Sequence, residues 1–218
     1  MTDGGVAFPL LEARGVTKEF PGVRALDAVT FDLFPGEIHA LVGENGAGKS
    51  TLIKILSGVY PHHFFAGGIR VAGGPVCFRG IRDAEAAGIA VIHQELSLVK
   101  HMTVGENIFL GDEPHRFGVV DFDRMYRDAG ALMRELGVDV DVRTETVNLG
   151  VGQQQLVEIA RAVRKRSRIL VLDEPTSALA DHEVESLMAV LRDLKRRGTA
   201  LVYISHKLDE VLHLADRI

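Results

Sequence analysis

The residues GENGAGKST at 43–51 carry the densest chemistry in this 218-residue chain. They fit the spacing G-x-x-x-x-G-K-[ST] and lie between an apolar stretch, Ile38 to Val42, and a helical pattern, Ser50 to Leu56. Gly43, Gly46 and Gly48 let successive N–H groups fold into a nest for phosphate oxygens, and the helix start adds its dipole. Glu44, Asn45, Ala47 and Thr51 complete that nucleotide-binding loop. Lys49 brings positive charge toward the β and γ phosphates, and Ser50 offers a hydroxyl to Mg2+. An accidental glycine-rich turn is the bland alternative, and the strand before and helix after argue against it. A second signal is ILVLDEP at 169–175, four apolar residues that drive a buried strand with Asp173 and Glu174 at its carboxyl end. Ligands of open α/β sheets gather at such ends. There Asp173 would hold Mg2+ through water and Glu174 would polarise an attacking water. Strands often end in acidic residues, so this pair is weak alone. Combined with the phosphate loop, it specifies a nucleoside triphosphatase.

A third signal is LGVGQQQLVEIARAV at 149–163, where Gly150 and Gly152 immediately precede an amphipathic helix. Its N-terminal N–H groups form a second anion site, unless the glycines are only a cap. The elements that must position these motifs follow from periodicity. Short strands are expected at Leu10 to Val16, Leu26 to Phe34, Ile69 to Val71, Val76 to Phe78 and Ile89 to Ile92, with a break at Gly73-Gly74-Pro75. Residues 103–166 read as helical, with Met125, Ala129, Leu132, Met133 and Leu136 on one stripe and Leu156, Ile159, Ala160 and Val163 on another. Strands at Ile169 to Leu172 and Leu201 to Ile204 flank a helix from Glu183 to Arg196. Strands alternating with helices predict an α/β fold with a parallel sheet, a β-rich start and a helical insert at about 95–166.

Composition narrows the alternatives. At 46% hydrophobic and 25% charged residues, the chain can bury a core, which excludes a disordered tail, a fibre or a small stapled scaffold. Twenty-five Lys and Arg against 30 Asp and Glu give a net charge of −5, which disfavours nucleic acid. Cys77 is the only cysteine, so no internal disulfide or thiolate cluster is expected, and a lone cysteine reads as a small buried hydrophobe. The N-terminal MTDGGVAFPLLEAR lacks the pattern of a leader, and no apolar run is long enough for a bilayer. A cytoplasmic location is expected, with membrane contact through a partner.

On these motifs the chain resembles the ATP-binding cassette (ABC) ATPases along nearly its whole length. The resemblance makes 149–153 (Leu149, Gly150, Val151, Gly152, Gln153) the signature loop that acts on a partner's nucleotide. It makes Gln94 a Q-loop residue approaching Mg2+ with Ser50 and Asp173. Residues 177–180 resemble the D-loop, and His206 in YISH resembles the switch histidine that holds the γ-phosphate. Phe20 in KEFPGVRAL matches the aromatic that stacks on adenine. A P-loop core with an N-terminal antiparallel β-subdomain and an inserted helical subdomain is implied, as are ATP and Mg2+. Lys49, Glu174 and His206 are the implied catalytic groups. GENGAGKST, TVGENIFLG, VGQQQLVEIARA and YISHKLDEV are similar to the tandem monosaccharide importers. VYPH and IRDAEAAGIAVIHQELSLVK look most like their xylose-importing branch. That branch implies an ATPase subunit energising sugar import through separate membrane permease subunits, with a periplasmic or extracellular sugar-binding protein acting indirectly. It places the assembled subunit on the inner face of the membrane. It also implies a second cassette, so the chain reads as one N-terminal cassette of a longer protein.

Two departures stand out. Gly150 replaces the usual signature serine, removing a hydroxyl aimed at the partner's phosphate, and Ala180 replaces a common D-loop aspartate. Because Gly150 serves the opposite site, which in tandem importers often has a weakened phosphate loop, Gly150→Ser should change steady-state phosphate release little. A many-fold rise would contradict this. The missing serine also motivates a second class, a regulatory cassette with little turnover, and a soluble non-transport ATPase is a third. His62-His63 read as a solvated loop, and Arg161, Arg164, Lys165, Arg166 and Arg168 as a helix C-terminal turn.

Overall fold

Residues 8–218 are described by the computed structural model. The leader-free reading of the N-terminus falls, through residue 7, outside them. The chain forms two compact units. The first comprises residues 8–91, 168–174 and 194–218, and the second 92–167 and 175–193.

In the first unit, alternation decides which side chains go inward. β1 (Leu11–Phe20) buries Leu11, Ala13, Val16 and Lys18, and β2 (Val23–Leu33) buries Leu26, Phe31 and Leu33. They pair antiparallel, Leu11 opposite Leu33 and Phe20 opposite Val23. β4 (Ala66–Val71) and β5 (Gly74–Val76) extend this sheet in the order β2-β1-β4-β5. The expected break at 73–75 is corrected: the chain turns at Ala72 and Gly73, and Pro75 sits inside edge strand β5 opposite Arg70. An edge strand tolerates the missing N–H. Cys77 is exposed, against expectation, because the inward position after β5 goes to Phe78.

A second sheet holds β3 (Ile38–Leu41), β10 (Ala200–Ile204), β9 (Ile169–Asp173) and β6 (Ile89–Ile92), in the order β3-β10-β9-β6. β10 runs parallel to both β3 and β9. The unbroken apolar run in β9 is what a parallel strand covered on both faces requires, and Ile169 to Leu172 are fully buried. Helix α1 (Lys49–Leu56) adds Leu52, Ile53, Ile55 and Leu56 to one core with residues of both sheets. Short α2 (Ile81–Ala86), absent from the sequence reading, buries only Ala84. Helix α7 (Leu208–Leu214) buries Val211 and Leu214.

The second unit is mainly helical. α3 (Val104–Phe109) starts in a capping box in which Thr103 and Glu106 satisfy each other's backbone N–H groups. α4 (Phe122–Glu135) starts three residues before the expected stripe, because the Asp121 side chain accepts from the Arg124 N–H at 3.0 Å. Met125, Ala129, Met133 and Leu136 are buried as expected. α5 (Val151–Arg164) and most of α6 (Asp181–Arg196) complete the unit. A hairpin, β7 (His115–Arg116) with β8 (Val119–Val120), interrupts the stretch read as helical. Its turn places Phe117 and Gly118 at φ 53° and 82°, a primed turn without the usual Asn-Gly signal. Among the described residues, no helix is long and apolar enough to cross a membrane.

Candidate functional site

Between β3 and α1 the backbone makes a loop whose glycines are in conformations that other residues rarely adopt. Gly48 is the most constrained. It caps α1 at φ 93°, and a Cβ there would lie 2.5 Å from the Ala25 carbonyl oxygen and 2.9 Å from Leu26 Cδ2. The cap supplies no side-chain acceptor, so the first turn of α1 presents its N–H groups without one. Lys49 Nζ folds back and donates to the Gly43 and Glu44 carbonyls at 2.5 and 3.0 Å. Ala47 N–H donates to the Glu44 carbonyl at 3.2 Å, which tightens the loop.

Residues 45–51, with Ala25, Asp173 and Glu174, line one pocket of about 150 Å³. The two carboxylates arrive there because β9 stands beside β10, with Asp173 opposite Ile204. Glu174 leaves the strand at φ 47°, a left-handed conformation that costs a non-glycine residue about 1 kcal/mol or more. Its N–H donates to the Ile204 carbonyl at 3.0 Å, which holds it there. Glu174 Oε1 lies 3.3 Å from His206 Nδ1. His206 follows buried Ser205, whose Oγ accepts from the Lys207 N–H at 3.0 Å. Phe20, Gly43, Glu44 and His206 are not in the pocket wall. Phe20 ends β1 half-buried, in a T-shaped pair with Tyr60 at 5.9 Å.

The oxygens of Ser50 and Asp173 share that wall and are hard donors of the kind Mg2+ prefers, with phosphate oxygens and water completing its shell. That donor set fits the ion. Among the described residues, no group of three His, Cys, Asp or Glu could hold a metal, and His62 and His63 are exposed.

In the second unit, Gln94 and the residues after it share a pocket of about 320 Å³ with Val151, Gln154, Gln155 and residues 177–179. Leu149 is half-buried, whereas Gly150, Val151 and Gln153 are exposed. Gly150 N–H donates to Gln153 Oε1 at 3.3 Å. Gly152 is buried and its N–H donates to Glu183 Oε1 at 3.1 Å, while Glu183 Oε2 accepts from Ala180 N–H at 3.0 Å. One carboxylate thus joins the starts of α5 and α6, a favourable place for negative charge. A Cβ on Gly152 would meet Glu183 Oε1, Cδ and Cβ at 2.6–2.9 Å. Gly152→Ala should therefore lower stability by about 1 kcal/mol in denaturant melts, overpacking outweighing the better helix propensity of alanine. A gain in stability would show that Glu183 moves aside without cost.

Three polar residues here were missed in the sequence. Glu183 lies in the first turn of α6, where an acidic side chain favours a helix start, and that position was its signal. Buried Glu158 accepts from the Ser97 N–H at 2.5 Å and from its hydroxyl at 2.9 Å, tying the segment after Gln94 to α5. Buried Lys18 sits among aromatic rings. Neither of these two had a positional signal. Arg164, read as complementing a helix dipole, also pairs with Asp112 at 2.8 Å and lies over Phe109.

Comparison with known proteins adds four findings. The family model described as ABC transporter matches residues 26–177. The chain is 57% identical over 209 residues to the xylose import ATP-binding protein of Thermoanaerobacter pseudethanolicus, covering 96% of this chain and 41% of that protein. It is 52% identical over 210 residues to a ribose import ATP-binding protein of Rubrobacter xylanophilus, covering 96% and 42%. The chain thus spans about two fifths of the length of these relatives. A nucleotide-free ATP-binding cassette from an ABC transporter superposes with a TM-score of 0.82 at 25% identity, covering 96% of this chain and 86% of that one.

Proposed function

This chain belongs to the ABC transporter family, and we propose that it binds and hydrolyses ATP to drive import of a monosaccharide, xylose or a close relative, through separate membrane permease subunits. The observation that carries the reading is the single pocket in which the phosphate loop meets Asp173 and Glu174. The sugar-import names of relatives at 52–57% identity support its transport side.

On this reading the loop at 43–51 binds the phosphates through its N–H groups and Lys49, whose ammonium exchanges its loop carbonyls for phosphate oxygens. Bound Mg2+ would neutralise phosphate charge, held by the Ser50 hydroxyl and, through water, by Asp173. Glu174 takes the proton of the attacking water, and its fixed backbone holds that carboxylate in one place. His206, hydrogen-bonded to Glu174, orients it and contacts the γ-phosphate. Phe20 stacks on the adenine. The reaction then depends on positioning and charge neutralisation. Residues 149–153 would complete the nucleotide site of a second cassette. The chain would lie as a peripheral subunit on the cytoplasmic face, with a periplasmic or extracellular sugar-binding protein reached only through the permease. Its net charge of −5 disfavours a nucleic-acid partner.

Steady-state phosphate release by the full-length protein with its permease tests the reading. ATP-dependent release that EDTA abolishes supports it. Binding without release would favour the regulatory cassette that Gly150 motivates.

A further inference from the structure

Lys18 is a buried residue whose ammonium lies beside three aromatic rings. It is 8% exposed, and its Nζ donates once, to the Phe64 carbonyl at 2.7 Å. The same nitrogen lies 4.8 Å from the ring centroid of Phe20, 5.4 Å from that of Tyr60 and 5.5 Å from that of Phe64. Among the described residues no carboxylate lies within 4 Å of it. A charge drawn partly out of water without a counter-ion is costly, and here ring quadrupoles and one carbonyl offset that cost. Tyr60 and Phe20 form a T-shaped pair at 62°, and Phe20 also bears a cation on its π system.

A cation over a ring draws its electron density, making the ring a better partner for an electron-rich purine. We propose that Lys18 sets the strength of nucleobase stacking on Phe20, as a positioning residue that acts through the ring and touches no phosphate. The proposal rests on Phe20 being the adenine platform. It makes β1 more than a scaffold: alternate residues on the strand supply the ring and the charge that tunes it.

The split between base and phosphate binding tests it. In the full-length protein, Lys18→Met, Lys18→Gln, Lys18→Arg and Phe20→Ala are titrated with ATP and with inorganic tripolyphosphate, which lacks a base. Lys18→Gln keeps a donor for the Phe64 carbonyl while removing the charge, so it serves if Lys18→Met does not fold. Both neutral variants should weaken ATP about three- to tenfold and leave tripolyphosphate affinity and saturated turnover unchanged. Lys18→Arg should restore ATP affinity. Wild-type ATP affinity in Lys18→Gln, or an equal loss for tripolyphosphate, overturns the proposal. If Phe20→Ala weakens ATP while Lys18→Gln does not, only the role of Lys18 fails. If Phe20→Ala binds ATP normally, the adenine platform fails and the proposal with it.

Discussion

Glu174→Gln should retain ATP binding and lose phosphate release by about a hundredfold or more. The substitution keeps the shape of the side chain and removes its negative charge and its ability to take a proton. Lys49 and the loop at 43–51, which hold the phosphates on this account, are untouched. Nor should the fold suffer. The strained φ of 47° is no worse for glutamine than for glutamate, and the backbone bond from residue 174 to Ile204 remains. A stability change within about 0.5 kcal/mol is therefore expected. Equilibrium nucleotide binding and steady-state phosphate release on the same preparation separate the two effects. Unchanged turnover would remove Glu174 from the chemical step and leave its strained backbone without a function.

Lys49→Ala should lose ATP affinity by about a hundredfold, with turnover falling alongside. Two losses combine at this position. The positive charge that would meet the β and γ phosphates is gone, and so is the clasp on the Gly43 and Glu44 carbonyls that shapes the loop before nucleotide arrives. Lys49→Arg should not rescue it, because a planar guanidinium cannot occupy the place of a compact ammonium inside so tight a loop. The measurement is ATP affinity by competition with a fluorescent analogue, with a thermal melt showing that the variant is folded. Affinity within threefold of wild type would mean that the loop amides alone hold the phosphates.

The parts of this architecture that were legible before any coordinates are those whose signal is local. The phosphate loop is a contiguous run with fixed spacing, and β9 is a contiguous apolar run ending in two acids. Both elements lie within a residue or two of their expected places, and residues 45–51 meet Asp173 and Glu174 in one pocket. Nothing local announces the hairpin at 115–120, because Phe117 stands in a left-handed turn position that usually holds asparagine or glycine. The short α2 is likewise silent, having one buried residue and no stripe. Cys77 went to the surface because its neighbour Phe78 took the inward position, a choice that residue type alone does not decide. Lys18, Glu158 and Glu183 act on partners 46, 61 and 31 residues away in sequence, and such pairings exist only once the chain has folded. Gly152 was legible as a helix-start glycine, but its reason, the Glu183 carboxylate packed against it, was not.

On the proposed reading, ATP turnover at this site is coupled to sugar crossing a membrane. Phosphate release by the full-length protein, assembled with its permease and sugar-binding protein in sealed vesicles, tests it most directly when measured with and without xylose. Mg2+-dependent release should rise with the sugar and collapse in Glu174→Gln. Release that ignores every monosaccharide offered, or that survives in Glu174→Gln, would contradict it.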